Sequence, residues 1–141
     1  LRTIDARMRV HQANAAAVVE LLSNHPAVQA VYYPGLATHP GHDLAARQQS
    51  GFGSLLSFEL TGGIDAVRRF TDGLQIIDLA ESLGGTESLL AHPATMTHAG
   101  MSPEARAAAG ITDSLLRLSL GIEPVDDLLN EIRSALDRAV A

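Results

Sequence analysis

Arg117 lies inside the apolar run Leu115 to Leu120, where a charge is least expected. A guanidinium in a buried strand needs an anionic partner, because an unpaired buried charge is costly. Two chemistries meet that need. One is structural, an ion pair with a core carboxylate such as Glu59 or Asp78. The other is recognition, since arginine offers a planar fork to a carboxylate where lysine offers only a point charge. A polar, glycine-bearing segment lies upstream, between the apolar runs Leu74 to Leu79 and Leu115 to Leu120. Loops carried on rigid strands are where binding groups concentrate. On residue type alone, Ser82 there is an ordinary loop hydroxyl and Glu81 a surface acid. His39 and His42 invite a metal reading, but Pro40 and Gly41 between them break helical geometry and no cysteine or carboxylate pattern completes a site. They read as loop or cap residues, and no metal site is expected.

One absence limits the chemistry more than any motif. All ten basic side chains are arginine, and the chain has no lysine. A reaction that begins with a Schiff base between a lysine and a carbonyl cofactor therefore cannot start from this chain. No glycine-rich loop with phosphate-binding spacing leads into a helix, and Gly62-Gly63 reads as a plain turn. There is no cysteine, so disulfides and thiolate metal sites are excluded. A net charge of −6 argues against nucleic acid as a partner. No apolar run approaches a membrane span and no leader pattern is present. The absence of cysteine agrees with a cytoplasmic location, which is the one expected. The length and the apolar fraction of 46% suit a single domain spanning residues 1–141. The first residue is Leu1 rather than methionine, which fits a processed product, a fragment or a piece of a longer chain.

The elements that must position Arg117 follow from periodicity. Ile4, Met8, His11, Ala15, Val18, Val19 and Leu22 recur at helical spacing. That helix should stop near Asn24, because Pro26 disfavours helix in the residue before it. Strands are expected at Val28 to Tyr33, Ser54 to Leu60, Gln75 to Leu79 and Leu115 to Leu120. Shorter helices are expected over Asp43 to Ser50, over Ile64 to Thr71, and from Ser102-Pro103-Glu104 to Gly110. A last helix begins at Pro124, with Val125, Leu128, Leu129, Ile132, Leu136 and Val140 as its apolar stripe. The expected fold class is α/β, a sandwich of α+β character with about four strands and helices mainly on one face.

Three motifs occur in order along the chain. They are Glu81-Ser82-Leu83-Gly84-Gly85-Thr86-Glu87-Ser88-Leu89, Met96-Thr97-His98-Ala99, and Leu116-Arg117-Leu118-Ser119-Leu120-Gly121-Ile122-Glu123. Together they resemble the C-terminal signature of the Cys/Met-metabolism enzymes that use pyridoxal phosphate. Gly41-His42-Asp43-Leu44-Ala45-Ala46-Arg47-Gln48-Gln49 and Gly100-Met101-Ser102-Pro103-Glu104-Ala105-Arg106 are similar to the bacterial cystathionine γ-synthases within that family, with the cystathionine γ-lyases next.

The resemblance covers the whole chain, but only about the last third of such an enzyme. It implies the small C-terminal domain of a fold-type I enzyme with a largely antiparallel sheet. Residues 1–24 would form the connecting helix and residues 27–141 the sandwich. The cofactor, pyridoxal phosphate, would be bound mainly by an N-terminal domain that carries the Schiff-base lysine. No catalytic residue is expected in this chain. Arg117 would bind the substrate α-carboxylate, and Ser82 would lie against the lysine and cofactor and help to orient that lysine. Glu81 would mark the subtype: the position is acidic in cystathionine γ-synthases and γ-lyases, aromatic in β-lyases and apolar in methionine γ-lyases. Leu83 and Thr97 would support the substrate site.

The reaction so implied joins L-cysteine to O-succinyl-L-homoserine by γ-replacement, in methionine biosynthesis and trans-sulfuration. The alternative is γ-elimination of cystathionine. An alternative of another class is a free-standing, non-catalytic binding or assembly domain. Implied partners are the N-terminal cofactor domain, amino-acid substrates and three further copies in a homotetramer built as a dimer of dimers. That packing would leave apolar residues exposed on the first helix and near Leu83.

Overall fold

The computed structural model describes residues 2–141. In chain order the elements are α1 (Ile4–Ser23), β1 (Val28–Tyr32), α2 (His42–Gln48), β2 (Leu55–Leu60), α3 (Gly63–Thr71), β3 (Asp78–Leu79), β4 (Leu89–Ala91), α4 (Pro103–Ala108), β5 (Leu115–Ser119) and α5 (Val125–Ala139). The strands form one sheet in the order β1-β2-β5-β4-β3. The β1–β2, β2–β5 and β4–β5 pairs are antiparallel, and β3–β4 is parallel.

Strand alternation separates the two faces of this sheet. Leu56 and Phe58 of β2 pair with Leu118 and Leu116 of β5, and Leu90 of β4 pairs with Leu118. All of them belong to one buried cluster, shared with Ala15, Val18 and Leu22 of α1, Val67 and Phe70 of α3, and Leu128, Ile132 and Leu136 of α5. Three helices therefore cover one face. The rings of Phe58 and Phe70 meet edge-on at 5.6 Å across that layer. The opposite face carries Ser57, Glu59, Arg117 and Ser119, and it is there that polar side chains collect.

Several expectations need correction. The sheet has five strands rather than about four, because Leu89–Ala91 forms a short strand inside the segment expected as loop. The expected strand Gln75 to Leu79 pairs only at Asp78 and Leu79, both exposed. The preceding amides are drawn elsewhere. The carboxylate of Glu131 on α5 accepts hydrogen bonds from the N–H groups of Gln75, of Ile76 at 2.9 Å and of Ile77 at 2.8 Å. A side chain thus does the work of a neighbouring strand for this edge segment. Val140 does not complete the apolar stripe of α5, since it lies past the helix end and is exposed. Apolar residues are exposed on α1, at Ile4 and Val10, and at Leu79 and Leu83, as expected for the first helix and the region near Leu83. The buried side of α1 includes His11, as expected from its spacing, and a second polar residue, Asn14, that the stripe did not contain. The ring of His39 caps the N–H of Gly41, and that of His42 bonds the carbonyl of Pro34.

Hydrogen bonds to a charged acceptor contribute more than neutral ones. Glu131→Ala should therefore destabilise the chain by about 1.5–3 kcal/mol in urea denaturation. Glu131→Gln, which keeps one acceptor oxygen, should lose less. A loss within about 0.5 kcal/mol for the alanine variant would show that water replaces the carboxylate without cost.

Candidate functional site

Arg117 occupies the middle of β5, between Ser57 of β2 and Ala91 of β4. Its flanking residues Leu116 and Leu118 point into the buried cluster, so alternation fixes the guanidinium on the other face. One terminal nitrogen, Nη2, donates to the carbonyl oxygens of Glu81 at 3.0 Å and Ser82 at 3.1 Å. Nε is buried and has no hydrogen-bond partner among the described residues. Among those residues no carboxylate lies within ion-pairing distance of this guanidinium.

The two acids named as possible ion-pair partners are placed otherwise. Glu59, on the same sheet face, accepts hydrogen bonds from the hydroxyls of Tyr32 at 2.6 Å, Thr112 at 3.2 Å and Ser114 at 3.4 Å. Its bond to Tyr32, together with desolvation, raises the phenol above its ordinary pKa. Asp78 is exposed at the sheet edge. Among the described residues, the hydrogen bonds of the Arg117 guanidinium go to main-chain carbonyls only.

The partner loop is itself tied down at both ends. The N–H of Ala80 bonds the carbonyl of Leu90 at 2.9 Å, continuing the β3–β4 ladder. The N–H of Gly84 bonds Oγ of Ser119 at 2.9 Å. Gly84 has φ +76°, a conformation that glycine adopts without the cost of a side chain. Between these points Glu81, Ser82 and Leu83 are exposed, Leu83 by 50%.

A second network fixes the end of β5 against the same loop. Glu123 accepts from the N–H of Ser88 at 2.6 Å and from its hydroxyl at 2.8 Å, while that hydroxyl oxygen accepts from the N–H of Gly121 at 2.9 Å. The close approach explains the glycine, because a Cβ at position 121 would lie 2.2 Å from the carbonyl oxygen of Thr86. From α1, Asn14 Nδ2 donates to the carbonyls of Gly121 and Glu123 at 3.1 and 2.9 Å. His11 Nδ1 meets the carbonyl of Leu120 at 2.6 Å. A carbonyl oxygen only accepts, so that nitrogen carries the proton.

The structure thus brings Arg117 together with the backbone of Glu81 and Ser82, with Leu83 next in the same loop. Thr97 is not joined to them by a hydrogen bond; its hydroxyl bonds the ring of its neighbour His98 at 2.8 Å. Both ring nitrogens of buried His92 are engaged, by Thr95 and by the carbonyl of Asp113. Ser119, which anchors the loop, carried a readable signal: a hydroxyl two residues after Arg117 in a strand shares its face. Without a lysine, the chain has no side chain to hold a carbonyl cofactor covalently. What it presents fits a carboxylate-bearing ligand.

The family model of Cys/Met metabolism PLP-dependent enzymes matches residues 1–137. Cystathionine gamma-synthase from Escherichia coli (strain K12) is 54% identical over 139 residues, which are 99% of this chain and 36% of that protein. The crystal structure of cystathionine gamma synthase from Xanthomonas oryzae pv. oryzae in complex with cystathionine is 67% identical, with a TM-score of 0.96, over 99% of this chain and 36% of that one. Cystathionine gamma-lyase from Lactobacillus plantarum complexed with L-serine gives a TM-score of 0.92 at 43% identity, with the same coverage. The chain spans about a third of the length of the relatives that it matches. It belongs to the family of Cys/Met metabolism PLP-dependent enzymes.

Proposed function

We propose that this chain is the C-terminal, substrate-carboxylate-binding part of a pyridoxal phosphate-dependent enzyme of the cystathionine γ-synthase type. The observation that carries the proposal is Arg117, a guanidinium with a buried, unpartnered Nε and no acid beside it. A charged donor in that state gains strongly from an anion that excludes water. The complete enzyme joins L-cysteine to O-succinyl-L-homoserine by γ-replacement. Its cofactor, when bound, supplies the electron sink for that chemistry, anchored to a lysine outside this chain. The higher identity to synthases, 67% and 54%, supports this reading over the γ-lyase at 43%. The γ-lyase reading stays as the second one because Glu81 suits both.

In this reading the chain's own residues bind and orient. Arg117 grips the α-carboxylate and so sets the direction of the Cα–H bond. Ser82 stands on the loop that faces the cofactor domain and orients its lysine. Glu81 offers a polar partner to the substrate's distal group, and Leu83 and Thr97 line the approach. The exposed apolar residues Ile4, Val10, Leu79 and Leu83 are covered by the cofactor domain and by neighbouring copies in a cytoplasmic homotetramer.

Three variants of the complete enzyme test these roles. A charge-assisted fork to a carboxylate is worth about 2–4 kcal/mol, so Arg117→Ala should lower kcat/KM by roughly 30- to 1,000-fold. The carboxylate is held in ground and transition states alike, so most of that loss should appear in KM. Arg117→Lys should not restore it, because a point charge replaces a fork. Unchanged kinetics in either variant would exclude Arg117 as the carboxylate ligand. Replacing Glu81 with leucine should weaken preference for cystathionine and O-acylhomoserines relative to methionine. Wild-type discrimination in that variant would remove Glu81 from the specificity site.

A further inference from the structure

The loop that holds Arg117 is poorly supported by packing. Glu81, Ser82, Leu83 and Gly84 are all exposed, and no side chain among them belongs to the buried cluster. Its course is set by hydrogen bonds at its two ends: the ladder bond of Ala80 to Leu90, and the bond of the Gly84 N–H to Ser119 Oγ. Ser119 is 0% exposed and lies on the face of β5 that carries Arg117, two residues further on. Two side chains of one strand therefore clasp the loop, Arg117 through the carbonyls of residues 81 and 82, Ser119 through the N–H of residue 84.

We propose that Ser119 is a positioning residue for the carboxylate site. Those two carbonyls are the guanidinium's hydrogen-bond partners, so where they stand decides how its plane is turned. A guanidinium grips a carboxylate in two-point geometry only when that plane is held. Loss of the Ser119 hydroxyl frees the Gly84 N–H, the loop drifts between residues 80 and 85, and the fork loses its alignment without losing its charge. Ser119 touches neither substrate nor cofactor in this account. The inference rests on Arg117 being the carboxylate ligand, as proposed above.

Two substitutions reach the same clasp from opposite sides. Ser119→Ala removes the acceptor with little change in volume. Gly84→Ala has open space for its Cβ but must bear φ +76°, which a side chain resists. Each is made in the complete holoenzyme, alone and together with Arg117→Ala. A single neutral hydrogen bond corresponds to about a 3- to 10-fold change, and each single variant should raise KM for the amino-acid substrate by that factor. A smaller fall in kcat should accompany it, because the fork also sets the Cα–H direction, and the thermal midpoint should not track the KM change. In the Arg117→Ala background neither substitution should raise KM further, because the alignment it protects is already gone.

An equal KM increase with and without Arg117 would overturn the proposal, as would a fall in stability with KM unchanged. Should Ser119→Ala fail to fold, the exposed Gly84→Ala variant gives the same decision. An Arg117→Ala enzyme with wild-type KM would overturn the carboxylate reading itself, and this inference with it. That failure is distinguishable because it shows in the parent variant alone.

Discussion

An arginine set into the central strand of a sheet must find acceptors for its donors, and most proteins supply a carboxylate. Here the acceptors are the carbonyls of Glu81 and Ser82, and Nε is left without one. Main-chain dipoles satisfy part of the guanidinium but leave its charge uncancelled. Such a group favours whatever anion can complete it. The acid nearest in the sheet pattern, Glu59, is occupied by three hydroxyls, which keeps it from cancelling Arg117.

The rest of the fold can be understood as support for that arrangement. The apolar face of β2, β5 and β4 seats the sheet on α1, α3 and α5. Glu131 reaches from α5 to three successive amides and fixes the segment that leads into β3. From there the chain runs directly into the loop above Arg117. On the other side, Ser88 and Glu123 lock the loop's return to the end of β5, and His11 and Asn14 carry the same constraint onto α1. A long helix that packs through buried polar side chains onto main-chain carbonyls is held in one register, where an apolar face alone would permit sliding.

Much of this was legible in the residues. The strands at Leu55–Leu60 and Leu115–Ser119 were expected from their apolar composition, and the stripe Leu128, Ile132, Leu136 marks α5. Arg117 stood out because its neighbours are leucines. Three features were not legible, each for a physical reason. Leu89–Ala91 is too short to show a period and sits within a polar motif. Gln75 to Ile77 has strand composition, but its amides are taken by a carboxylate 54 to 56 positions away in sequence. The clasp on the 81–84 loop uses main-chain groups, which every sequence contains and none advertises. The strand position of Arg117 was legible in its side chain, while the main-chain groups that hold it were not; the hydroxyl of Thr97, placed with it by motif, bonds its neighbour His98.

The central claim is that Arg117 is held ready for a substrate carboxylate. A crystal structure of the complete holoenzyme with its amino-acid substrate bound tests it most directly. The account predicts carboxylate oxygens at about 2.7–2.9 Å from the guanidinium, Nε included, with the loop at Glu81 and Ser82 still in contact. A substrate carboxylate held by other groups, with Arg117 turned toward a protein acid, would contradict it.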